Sequence, residues 1–176
     1  ALFRGCKMAD CVAALEARAG RALPPSFVAE LRRRTATAFR ERLRPMDGAL
    51  GLVSALSVPF CVASSGPREK IELSLSVTGL LPFFSGRIFS SYEVGAWKPD
   101  PGLFLHAAGA MGISPSECVV VEDSGPGIAA GLAAGMTVVA LQGERAEERV
   151  ADGVRVVRSL AELPGLLGLA PAARAR

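Results

Sequence analysis

VVVEDSGPGIAAGLAAG, Val119 to Gly135, holds the pattern from which the fold can be read. Three consecutive β-branched valines make a short apolar run of the kind buried in a parallel sheet, and the glycines and alanines after it suit a tightly packed helix. Between them stand Glu122 and Asp123, two adjacent carboxylates at the end of an apolar strand. Acid in that position repels itself and resists desolvation, so a positive partner is expected: a divalent cation with hard oxygen ligands, a lysine, or both. The alternative is a solvated acidic turn in which Ser124 caps the helix.

Working outward, the same grammar repeats. Strand-like segments at Pro59 to Ala63, Arg87 to Ser90, Cys118 to Glu122, Thr137 to Leu141 and Val154 to Val157 alternate with helical patterns near Arg68 to Val77, Gly102 to Met111, Gly127 to Ala134 and Leu160 to Leu167. Alternation of this kind predicts an α/β fold, a parallel sheet wrapped by helices. The first 48 residues differ. They hold an amphipathic helix from about Met8 to the stop at Gly20 and a longer one from Pro25 to about Leu43, with no strand. The expected organisation is a helical front unit over 1–48, an α/β core over 49–170 and a frayed tail over 171–176.

Composition bounds the function. The chain has 176 residues, half of them hydrophobic, enough for one buried core. No apolar run reaches the roughly 18 residues of a membrane span, and no charged-then-apolar leader opens the sequence, so a cytoplasmic protein without a membrane partner is expected. Cys6, Cys11, Cys61 and Cys118 lack close pairing and read as packed thiols. The net charge of +3 is uneven: residues 1–48 carry ten Lys/Arg against five Asp/Glu, the rest ten against twelve. Arg32, Arg33, Arg34, Arg40, Arg42 and Arg44 lie along the second helix without interleaved aromatics, which predicts a solvated face and a general pull on anions, with no nucleic-acid partner.

In such a sheet ligands sit beyond the carboxyl ends of the strands. After the first strand come Ser64, Ser65, Gly66 and Pro67, hydroxyls and backbone N–H groups opening a helix, which suits phosphate as well as an ordinary cap. After the second comes SSYEVGAWKPDP, where two prolines stiffen the loop carrying Lys98, a cation placed to neutralise phosphoryl charge and to lie near carboxylates. After the third come Glu122 and Asp123. Hydroxyl, ammonium and carboxylates drawn to one pocket describe a phosphate and a divalent cation side by side. His106, on a helical segment remote from these ends, reads as structural.

Taken in order, the SSG, WKPDP and VVVEDSGPG segments resemble the second, third and fourth motifs of the haloacid dehalogenase (HAD) superfamily of phosphohydrolases, in its β-phosphoglucomutase-like, sugar-phosphatase subgroup. The resemblance implies a HAD-like Rossmannoid parallel sheet with an N-terminal helical cap, of which LFRGCK resembles the loop leaning over the site. It implies a Mg²⁺-dependent hydrolase acting on a small phosphorylated sugar or sugar acid through a phosphoaspartyl intermediate. Ser64 and Ser65 would then hold the phosphoryl oxygens, Lys98 would steady nucleophile and phosphoryl group, Asp123 would bind Mg²⁺ with Glu122 as a second or water-mediated ligand, and Arg4 and Lys7 would meet the distal anionic part of the substrate. No obligate protein partner is implied.

One motif departs from the pattern. The family's first motif, DxDGT/S on the central strand, is absent: no two aspartates in the chain stand two residues apart. On the resemblance, the chain is expected to begin inside the cap, with a partial cap and an incomplete core. Two strands are then expected to keep unpaired edges with a groove between them, and the segment as written is expected to be inactive. A phosphoglucomutase-like phosphotransferase and a non-catalytic remnant share the motifs that are kept. A dinucleotide-binding oxidoreductase is disfavoured, because Gly125, Gly127 and Gly131 give GxGxxxG and the acidic pair would face a pyrophosphate. A receiver domain would carry its acidic pair on the first strand; here it comes last.

Overall fold

The computed structural model describes residues 7–143 and 150–168. Arg4 and the tail from Pro171 therefore lie outside the described residues. The chain opens with two helices, α1 (Met8–Ala19) and α2 (Phe27–Arg42). Gly20 ends α1 in the left-handed conformation that a glycine adopts without cost. Neither helix contains a fully buried residue, and α2 lies against α4 (Arg68–Val77) of the following unit. A short helix that the sequence pattern did not announce, α3 (Ala49–Ala55), leads from Gly48 into the sheet.

Five parallel strands follow, in two pieces. β1 (Val62–Ser64) pairs with β2 (Ile88–Ser90), with Val62 opposite Ile88. Past the single-turn α5 (Ser91–Val94) and α6 (Gly102–Met111), β3 (Val119–Glu122) pairs with β4 (Thr137–Leu141), and β4 with β5 (Arg155–Val157). Between β3 and β4 runs α7 (Gly125–Ala133), and α8 (Leu163–Leu166) closes the described chain. Among the described residues β1 and β3 are not hydrogen-bonded to each other, so each keeps an open edge as the sequence led one to expect. Beside that gap Val119 and Val121 are 42% and 40% exposed. In a sheet covered on both faces such residues would be buried.

Packing nevertheless spans the gap. One cluster joins Phe104 and Ala108 of α6, Val120 of β3, Ala130 of α7 and Val138 of β4, and Ala63 of β1 packs against it. A second gathers Ile71 and Leu75 of α4 with Phe84 and Ile88. A third sets Val139 and Val157 against Leu163 of α8. The small residues of α7 bring its axis close to the strands: a Cβ on Gly131 would lie 2.8 Å from Cγ2 of Val138 and 3.4 Å from Cβ of Val120. The helix packs where only a hydrogen atom fits.

Gly131→Ala is therefore expected to destabilise the chain by about 1–3 kcal/mol despite the better helix propensity of alanine. Gly125→Ala, with nothing within 4 Å of the added methyl, is expected to stay within about 0.5 kcal/mol of the parent. Urea unfolding of the two variants checks the contrast; equal stabilities would show that the α7 contact is not tight.

Candidate active site

The loop after β1 is built to present donors. The Ser64 hydroxyl accepts the Gly66 backbone N–H at 3.2 Å, curling the chain into the start of α4. Ser90, fully buried at the end of β2, donates to the Gly66 carbonyl at 2.7 Å and accepts from Tyr92 N–H at 3.2 Å. One hydroxyl thus pins the loop and caps α5. Among the described residues no side chain caps α4, and the buried Ser65 Oγ has no hydrogen-bond partner. Uncapped first-turn amides and an unsatisfied hydroxyl favour an anion.

Lys98 follows α5, next to a cis peptide with Pro99. Its ammonium donates to the Ala63 carbonyl at 3.2 Å, pairs with Glu122 Oε1, and lies 4.7 Å from the Phe104 ring centroid. The two charged side chains are only 7% and 10% exposed. The other Glu122 oxygen accepts from Asp123 N–H (3.0 Å), Ser124 N–H (2.9 Å) and Ser124 Oγ (2.8 Å). Burial pushes the Glu122 carboxyl upward, but Lys98 and the Ser124 donors outweigh it and hold the group below its ordinary value. A Cβ on Gly127 would fall 2.1 Å from the Glu122 Cδ, so the carboxylate occupies the space that glycine leaves open.

These groups share one cavity of about 820 Å³, whose lining includes Ser64, Ser65, Lys98, Glu122, Asp123 and Ser124. That is within the range of small-molecule sites. The three strand ends do converge. For a metal the candidate donors are the Asp123 carboxylate and, through water, Glu122, whose two oxygens are already engaged; among the described residues no three His, Cys, Asp or Glu side chains gather as a closed metal cage. That set fits magnesium, which keeps its waters and binds through one or two carboxylates plus phosphate oxygens. Lys7 lies elsewhere, its ammonium 4.2 Å over the Trp97 ring. His106 packs edge-on to Phe89, away from the cavity lining.

Some of the site was not foreseen. The roof is the inner face of the front unit, with Leu15 of α1 and Leu31 and Phe39 of α2. Of the α2 arginines read together as a solvated face, Arg33 and Arg34 clasp Glu30 (2.8 and 2.6 Å), whereas Arg32 and Arg40 line the cavity. Glu30 is held down at about 2 by its two arginines, mainly through their hydrogen bonds. Tyr92, edge-on to Trp97 at 5.6 Å, completes one wall.

Lys98→Met leaves the Glu122 charge buried without its counter-ion, and a loss of about 3–5 kcal/mol in unfolding free energy is expected. Adding Glu122→Leu to Lys98→Met removes the stranded charge and should recover most of the loss, as chemical denaturation would reveal. A double variant no more stable than Lys98→Met would show that the ion pair is not the source.

Comparison with known proteins gives the family. Residues 10–135 match the family described as haloacid dehalogenase-like hydrolase. The chain is 35% identical over 137 residues to 6-phosphogluconate phosphatase of Escherichia coli K12, covering 77% of this chain and 62% of that protein. It is 37% identical over 134 residues to a probable pseudouridine-5'-phosphatase of Drosophila melanogaster, covering 70% and 58%. The chain thus spans about three-fifths of the length of these relatives. A HAD family hydrolase from Deinococcus radiodurans R1, solved with bound phosphate and sodium, superposes with a TM-score of 0.74 at 34% identity, covering 97% of this chain and 80% of that one. The chain belongs to the haloacid dehalogenase-like hydrolases.

Proposed function

We infer that this site serves the hydrolysis of phosphate monoesters of small metabolites, phosphorylated sugars or sugar acids such as 6-phosphogluconate. The observation that carries this reading is the buried Lys98–Glu122 pair facing the same cavity as the Ser64–Ser65–Gly66 loop, with its unpartnered Ser65 hydroxyl. In the reading, Ser64 and Ser65 donate to phosphoryl oxygens together with the open amides of α4, and Lys98 offsets the charge that grows on the group in flight. Being already fixed by Ala63 and Glu122, the ammonium needs no reorganisation to do so. Asp123 takes Mg²⁺ directly, and Glu122, with both oxygens engaged, acts through water. Magnesium would screen the phosphoryl oxygens and orient the ester for in-line attack.

The resemblance calls for a nucleophilic aspartate and an acid/base aspartate two residues along, and the 176 residues hold no such pair. The covalent step thus belongs to a protein that carries that motif. The chain itself is assigned phosphate binding without turnover. The relatives support the ester class: 6-phosphogluconate phosphatase and the probable pseudouridine-5'-phosphatase are both named for phosphate monoesters.

Calorimetry of the purified chain with inorganic phosphate and Mg²⁺ is expected to show binding that Ser64→Ala weakens by about tenfold, the scale of one hydrogen bond to an anion. The same chain should release no phosphate from a panel of phosphorylated sugars and sugar acids with or without Mg²⁺. A form extended upstream by an in-frame DxDGT strand should release it only with Mg²⁺. Metal-dependent turnover by the chain alone would overturn the assignment of the nucleophile, and absence of phosphate binding would overturn the reading of the site.

A further inference from the structure

The charges of α2 are sorted by face. Arg33 and Arg34 are neutralised by Glu30, and Arg42 lies 4.0 Å from Glu41. Arg32 and Arg40 stand eight residues apart with Ala36 midway, a single row of the helix about 12 Å long. This row lines the cavity, and neither arginine is paired with a carboxylate among the described residues. Across the cavity the Arg32 guanidinium lies 5.8 Å from the Tyr92 ring centroid, so its position is set by a contact between the front unit and the core. Among the described residues Arg40 has no such ring contact, although it lines the same cavity. Of the two lysines in the lining, Lys98 is already matched by Glu122, and Lys70 lies 5.8 Å from the Phe39 ring centroid. A guanidinium that is anchored, unneutralised and facing a cavity is a receptor for an oxyanion.

We propose that Arg32 is a specificity-determining residue, holding a second anionic group, carboxylate or phosphate, on the far end of the phosphate ester bound at Ser64 and Lys98. This rests on the phosphate-site reading above and adds the substrate class: esters with two anionic ends are selected over esters with one. The Tyr92 ring holds the guanidinium on this wall, and Leu31 and Phe39 add apolar surface to the same lining.

The probes are 6-phosphogluconate and sorbitol 6-phosphate, which differ only in a carboxylate against a hydroxymethyl at the end remote from the phosphate. Calorimetry with the chain and Mg²⁺ should give the acid about tenfold or more tighter binding. In Arg32→Gln the ratio should fall to near one, with inorganic phosphate and sorbitol 6-phosphate binding as before. Arg33→Gln removes the same formal charge from the outer face of the same helix and should keep the preference, separating a local receptor from the general field. Equal affinities in the native chain, no measurable binding of either ester, or a preference that survives Arg32→Gln overturns the proposal. If inorganic phosphate binds in each of these cases, only the assignment of Arg32 falls; if phosphate does not bind, the site reading falls with it.

Discussion

One lysine bridges the ends of the two sheet pieces, where packing alone joins them elsewhere. β1 and β3 share no backbone hydrogen bond among the described residues, yet the Lys98 ammonium reaches the Ala63 carbonyl on one side and the Glu122 carboxylate on the other. Each charge loses much of its hydration in this position, and a buried pair of this kind contributes little net stability over an apolar substitute. What it gives is position. With Glu122 saturated by Lys98, Asp123 N–H and the Ser124 donors, neither group can reorient without stranding the other, so the local field at the strand ends is set before any ligand arrives.

The remaining geometry extends this constraint. Ser90 fixes the Ser64–Pro67 loop through Gly66, and it does so from a strand packed beside the loop, not from the loop itself. Gly127 makes room for the Glu122 carboxylate, and Gly131 lets the helix following it lie close on β3 and β4. The closely packed half of the molecule thus carries the charges that must not move. The front helices, with no buried residue of their own, form a roof over them whose apolar and cationic side chains are those that face a ligand.

Much of this was legible in the sequence. The VVV run followed by acid, the prolines around Lys98 and the double serine each mark a strand end by local chemistry alone, and the helices at Arg68, Gly102 and Gly125 begin within about two residues of their expected starts. Other features were not legible. Helix α3 is seven residues with no polar face, too short for periodicity to reveal. Ser90 has the pattern of an ordinary cap, and only the fold shows its hydroxyl at the Gly66 carbonyl. Arg32 and Arg33 are adjacent and chemically identical; what separates them is the place of Glu30 and of the cavity, which is a tertiary fact. Lys7, which the resemblance places near the distal end of a substrate, has its ammonium over the Trp97 ring, an aromatic contact that sequence separation hides.

The central claim is that Ser64, Ser65 and Lys98 form one preorganised oxyanion receptor beside Asp123. A crystal structure of the chain grown with Mg²⁺ and orthovanadate tests it most directly. The account predicts vanadate oxygens within hydrogen-bond distance of Ser64 Oγ, Ser65 Oγ and Lys98 Nζ, with the metal against Asp123 and the Lys98–Glu122 pair unbroken. Vanadate bound elsewhere in the cavity, or Lys98 turned away from both Glu122 and the anion, would contradict it.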